Sequence, residues 1–223
     1  MNVDYTFIIN LKHRKDRKKK MTKQLQNAHI HKYEFFKAIQ PSPQDIQKWN
    51  TKFLEPIPDW FKLTGGDEMK YKIGSLGCML SHIEVIKLSL ERNYDRVLIL
   101  EDDTEFELGD KHGFTHLNDE INDLSFGLFY LAGNHRGSKI EKVKHNVLRV
   151  QGTYTTGSYV IDKSAMLYIV QAIQGFTREV DVFYANVIQK MFPCYCIYPH
   201  MTKQAEGYSD IVQKNVSYNL NLI

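Results

Sequence analysis

At 223 residues, 43% hydrophobic and 25% charged, the chain has the composition of a globular protein with a substantial buried core, which excludes disordered and fibrous classes. A formal net charge of +3 calls for no nucleic acid partner, while an anionic ligand or peripheral contact with an acidic membrane surface is compatible with it. No run approaches the ~20 uninterrupted apolar residues of a membrane helix and the N-terminus lacks a signal-peptide pattern, so the sequence predicts one cytoplasmic domain, 1–223, with no transmembrane segment.

The aromatic and β-branched run Asp4 to Leu11 predicts a buried strand, followed by a basic stretch from Lys12 to Lys20 that continues at helical spacing through Met21, Leu25 and Ala28. Tyr33 to Ile39 reads as a second strand, closed by the break Pro41-Ser42-Pro43. Residues 44–71 lose periodicity, with Pro56, Pro58 and Gly65-Gly66, and predict an irregular insertion or lid. A glycine-containing turn, Gly74 to Gly77, is expected to lead into an amphipathic helix from about Cys78 to Arg92. Arg96 to Leu100 is a central-strand pattern that runs directly into Glu101-Asp102-Asp103.

Phe126 to Leu131 predicts another buried strand, Gly133 to Gly137 a loop, and Val147 to Val150 and Thr155 to Ile161 two further strands. Helices are expected from about Ser164 to Ile173 and Val180 to Met191, then a strand near Tyr195 to Tyr198 and a polar tail. This alternation predicts an α/β fold with a mainly parallel, covered sheet. Cys78, Cys194 and Cys196 fit neither a zinc nor a disulfide framework, so reduced thiols are expected, with Cys194 and Cys196 as small buried hydrophobes on one strand face.

Ligands in open α/β sheets sit beyond the carboxyl ends of the strands, which is where Glu101, Asp102 and Asp103 fall. Magnesium and manganese take carboxylate oxygens together with substrate phosphates, and crowded carboxylates repel unless a cation or basic side chain relieves them. Strand alternation sets Glu101 and Asp103 on one side and Asp102 on the other, and a bulge at the strand end would exchange the faces. The competing reading is a solvated acidic turn.

Four segments together resemble glycosyltransferase family 25, which includes bacterial lipooligosaccharide galactosyltransferases and collagen galactosyltransferases. They are Ile9-Asn10-Leu11 with Arg14, Asp16 and Arg17; Gly74-Ser75-Leu76-Gly77-Cys78-Met79-Leu80-Ser81-His82; Leu98 to Asp103 with Phe106; and Val180-Asp181-Val182-Phe183. Weaker echoes stand at Gly157 to Ile161 and Gly207 to Ile211. Ser75 departs from the family, where an acidic residue is common, and this bears on the acceptor side. The resemblance implies a GT-A type, Rossmann-like fold, a UDP-sugar donor carrying galactose or glucose, manganese or magnesium as cofactor, a hydroxyl acceptor on a glycan or hydroxylysine, and inversion at the anomeric carbon. It places uracil and ribose near Asn10 and Leu11 and lets Arg14 and Arg17 reach the diphosphate.

Within this reading Asp103 is the direct metal ligand, Glu101 reaches the ribose or the metal, and Asp102 supports through its own hydrogen bonds. Gly74, Ser81 and His82 are candidate donor-binding positions, with helix packing as the alternative for each. His200 is a further candidate metal ligand. Asp181 is the candidate general base, or else a helix cap, since aspartate is favoured where backbone N–H groups are free. A different class, a catalytically inactive nucleotide-sugar-binding or adhesion module of the same fold, is opposed by the intact acidic triplet and Asp181. A calcium-binding domain would need EF-hand spacing, which the sequence lacks.

Overall fold

The N-terminal apolar run forms β1 (Tyr5–Asn10), flanked by two parallel neighbours from distant stretches, β2 (Tyr33–Lys37) and β3 (Arg96–Glu101). The computed structural model describes residues 3–107, 117, 120–135 and 139–216, so Arg136 and Gly137 of the expected loop lie outside the described residues. Past β3 the sheet continues through β8 (Ser158–Asp162), β5 (Leu128–Tyr130), β9 (Cys194–Ile197), β7 (Val147–Gln151) and β6 (Lys139–Lys144). β8 and β7 run against the rest, and the other six strands share one direction. The expected α/β class with a mainly parallel sheet is therefore what forms, with β6 a strand the sequence reading did not single out.

Successive side chains of a strand alternate between sheet faces, and here both faces are covered. Phe7, Ile9, Val97 and Ile99 join one apolar core, with Leu76, Met79 and Ile83 of α4 (Glu68–Glu91) and Ala165, Met166 and Ile169 of α5 (Lys163–Ala172). Ile8, Leu98 and Leu100 face a second core that includes Met21 and Leu25 of α1 (Lys15–Asn27). Burial on both faces explains the near-continuous apolar runs of β1 and β3. In α1 only Met21 and Leu25 are buried, so most of its lysines form a solvated face.

Residues 44–71 hold more order than expected. Ser42 opens α2 (Pro43–Trp49), its backbone N–H donating to the Asp45 carboxylate at 2.8 Å, and α3 (Asp59–Lys62) follows. The larger correction concerns α4, which begins at Glu68, not near Cys78, so Gly74 and Gly77 lie inside a helix and form no turn. Asp67 caps it by accepting the Lys70 N–H at 3.0 Å. The glycines are accommodated by tertiary contact: a Cβ on Gly77 would lie 2.6 Å from the Ile39 carbonyl oxygen, and one on Gly74 would lie 3.3 Å from Ile211 Cα. Helix propensity, which disfavours glycine by about 1 kcal/mol, yields to that packing.

α4 is long and apolar enough to cross a membrane by length and composition alone, but much of its apolar stretch is buried within this fold, as in a core helix.

Two small antiparallel pairs sit beyond the main sheet. β4 (Thr104–Phe106) pairs with β10 (Thr202–Gln204), and β11 (Gly207–Ser209) pairs with β12 (Lys214–Val216). The predicted helix over Val180 to Met191 divides into α6 (Val180–Phe183), a π-helical turn (Tyr184–Ile188) and α7 (Gln189–Met191).

Candidate active site

The parallel strands β1 and β3 end together, which brings Asn10 beside the acidic triplet. Asn10 Nδ2 donates to Asp102 Oδ2 at 2.7 Å and to the Arg14 carbonyl at 3.2 Å. Arg17, one turn into α1, donates from one terminal nitrogen to Asp102 Oδ1 at 2.8 Å and Asp103 Oδ2 at 3.3 Å, and from the other to the Tyr208 carbonyl at 2.8 Å. Arg17 thus supplies the positive charge that three adjacent acids require. Arg14 instead bonds Asp210 at 2.7 Å and Asp16 at 3.1 Å, pinning the Gly207–Ile211 segment across the start of α1. Both arginines expected at a diphosphate are thus ion-paired within the protein.

The three acids have different surroundings. Glu101 Oε1 accepts from the Thr156 hydroxyl at 2.7 Å and lies 3.3 Å from His82 Nε2. Burial pushes its carboxyl up, but these bonds and the charge of Arg17 outweigh burial and hold it below the usual range. Asp102 is buried, with each carboxylate oxygen bonded, one to Asn10 and one to Arg17. Asp103 differs: Oδ2 accepts from Arg17 and from Gln204 Nε2 at 3.2 Å, whereas Oδ1 is buried with no hydrogen-bond partner among the described residues. Burial and then the nearby charge of Glu101 push its carboxyl up to about 7.

A buried chain of polar groups stands behind Glu101. Tyr184 and Tyr159 hydroxyls are 3.0 Å apart, and the Tyr159 hydroxyl is 2.8 Å from His82 Nδ1. If Tyr159 donates to Nδ1, Nε2 carries the proton toward Glu101. Both ring nitrogens of His82 are therefore occupied, and the residue positions Glu101. Ser81 is fully buried, donating to the Gly77 carbonyl at 2.6 Å and accepting the Ile39 N–H at 2.8 Å. Its place in the motif reflects packing of the β2 exit onto α4. Gly74 does the same for the segment at Ile211, and Ser75 is buried within α4.

Asp181 lies in the first turn of α6 and accepts the Val182 N–H at 2.8 Å. Burial, and then the charge of Glu179, push its carboxyl up to about 6, with Glu101 also raising it. Glu179 is fixed by the Tyr71 hydroxyl at 2.7 Å. The half-buried Cys78 thiol is raised first by loss of solvent and then by the charges of Glu101, Asp181 and Asp103, so these three carboxyls bear on one region. Leu11 follows β1, partly exposed.

His200 does not join the triplet. Its imidazole packs 5.7 Å from that of His135, and the nearby charge bearing on it is Glu107. The reason is topological: the chain leaving β9 meets the exit of β5 before β10 returns it to β4. Thr156 and Gln204 were not legible because hydroxyl and amide side chains on loops and short strands carry no periodic signal, and Tyr184, buried in the π-helical turn, reads as a core aromatic.

A family model described as glycosyltransferase family 25 (LPS biosynthesis protein) matches residues 3–184. The chain belongs to glycosyltransferase family 25. Among similar family 25 and related sequences, procollagen galactosyltransferase 2 of Mus musculus is 28% identical over 193 residues, covering 82% of this chain and 30% of that protein. Putative glycosyltransferase R655 of Acanthamoeba polyphaga mimivirus is 25% identical over 234 residues, covering 97% of this chain and 68% of that protein. The chain therefore spans less than a third of the mouse relative's length. Among solved structures, A197 from STIV aligns at a TM-score of 0.48 with 12% identity, covering 98% of this chain and 96% of that one.

Proposed function

We infer that this family 25 chain is a metal-dependent glycosyltransferase of GT-A type, which moves galactose or glucose from a UDP-sugar to a hydroxyl on a glycan or hydroxylysine with inversion. The observation that carries this reading is the buried Oδ1 of Asp103, without a hydrogen-bond partner among the described residues, at the carboxyl end of a central strand and directly after Asp102, whose two carboxylate oxygens both have internal partners. A hard divalent cation such as manganese or magnesium fits that oxygen, with Asp103 as ligand and Glu101 the next carboxylate along. When bound, it would neutralise charge that builds on a diphosphate leaving group.

The protein's own groups carry the remaining tasks. Asn10 and Arg17 hold Asp102 and Asp103 in place, and the family resemblance assigns uracil and ribose to Asn10 and Leu11. Asp181, with a carboxyl raised to about 6, is matched near neutral pH to accept the acceptor hydroxyl proton on a carboxylate oxygen. The names of the collagen-modifying relatives support galactose as the sugar and a procollagen side chain as one acceptor class. Screening UDP-sugars with manganese for slow hydrolysis tests the reading, with UDP-galactose or UDP-glucose expected to turn over. No hydrolysis and no nucleotide binding would overturn the reading, whereas nucleotide binding without turnover would favour the inactive module.

A further inference from the structure

A second cluster of ligand-type side chains lies at the exits of β5 and β9. His135, Cys196 and His200 place one ligating atom each within 4.8 Å of one another. His135 is 8% exposed and Cys196 fully buried, and the Nε2 atoms of both histidines are buried without a hydrogen-bond partner among the described residues. An unsatisfied buried nitrogen costs about 1–3 kcal/mol, so two facing the same thiol need an account. The geometry points to a second metal site, in which His135 Nε2, His200 Nε2 and Cys196 Sγ bind a zinc-class cation apart from the acidic triplet.

The donor set suits that ion: imidazole and thiolate favour zinc and its neighbours, where the carboxylates at the end of β3 favour magnesium or manganese. His135 is also oriented as a ligand. Its Nδ1 is 2.8 Å from the Thr153 hydroxyl, which leaves Nε2 as the lone-pair atom when Nδ1 donates. Thr153 is itself held, because Gln189 accepts its N–H at 2.9 Å and donates to its carbonyl at 2.6 Å.

Binding forms one sulfur–metal and two nitrogen–metal bonds and breaks the Cys196 S–H bond, its proton leaving to solvent. Bond lengths near 2.3 Å for sulfur and 2.0–2.1 Å for nitrogen require the ligand atoms to close to roughly 3.5 Å, a shift of about 1 Å that imidazole rotation can supply. The ion would tie the β5 exit to β9 and to the chain entering β10, whose Gln204 bonds Asp103.

The chain expressed in cobalt-supplemented medium tests this directly. About one cobalt per chain and a thiolate-to-cobalt charge-transfer band are expected. The band should vanish in Cys196→Ser, metal content should fall at least tenfold in His200→Ala, and both should persist in Asp103→Asn and Cys78→Ser. Survival of the band in Cys196→Ser, or its loss in Cys78→Ser, would overturn the assignment. Should either ligand variant fail to fold, X-ray absorption on the wild-type zinc protein still decides. One sulfur and two imidazole scatterers are required, and a protein without bound metal, or with only oxygen and nitrogen scatterers, refutes the site.

Discussion

Asn10 and Asp102 are 92 positions apart in the sequence, yet Asn10 Nδ2 donates to Asp102 Oδ2 at 2.7 Å because β1 and β3 are parallel neighbours that end at the same level. With Arg17 on the other oxygen, Asp102 is held as a buried structural anion beside the more reactive Asp103.

The first prediction follows from that pairing. Arg17→Met keeps most of the side-chain volume but leaves the buried Asp102 with one neutral partner. Removing one member of a buried ion pair costs about 3 kcal/mol, and urea unfolding at pH 7 should show a loss of that order. Unchanged stability would mean that Asn10 and solvent suffice.

A second prediction concerns Gly77. Alanine there places a Cβ 2.6 Å from the Ile39 carbonyl oxygen, and backbone cannot yield as a side chain can. Gly77→Ala should destabilise by about 2 kcal/mol despite its better helix propensity, whereas Gly65→Ala, with open space around it, strains only its own positive φ of 67°. Thermal melts of the two variants separate the cost of close approach from that of local backbone strain.

Much of the fold was legible in the sequence. Strands β1, β3, β5 and β8 announced themselves as apolar runs because both sheet faces are buried, and the position of Glu101 to Asp103 at a strand end followed from the same run. The start of α4 was not legible, because Gly74 and Gly77 read as a turn until Ile39 and Ile211 are seen against them. Nor could the sequence show the pairs Arg14–Asp210 and Arg17–Asp102, whose members lie far apart along the chain. β4, β10, β11 and β12 have three residues each, too short for a period to show.

The third prediction is a pH dependence at Asp181. Its carboxyl is raised to about 6 in the fold, first by burial and then by Glu179, from an ordinary value near 3.9. Between those values the folded chain binds more protons than the unfolded one, so this group makes stability fall as pH climbs from about 4 to 6 and adds no further loss above. Asp181→Asn should therefore match wild type below pH 4 and be more stable at pH 8, by on the order of 3 kcal/mol. It should also lose transfer by a factor of about a hundred or more, whereas wild-type transfer should rise with pH through about 6 as the base ionises. Near wild-type transfer by the variant would leave Asp181 a helix-start residue only.

If Asp103 holds the cation that secures a UDP-sugar, calorimetry of UDP binding with and without manganese will show it. Wild type should bind UDP at least tenfold more tightly with manganese present. Asp103→Asn keeps the size of the side chain and an acceptor for Arg17 or Gln204, so it should fold yet lose the manganese-dependent gain. Equal manganese enhancement in Asp103→Asn and wild type, or no enhancement in either, would contradict the account.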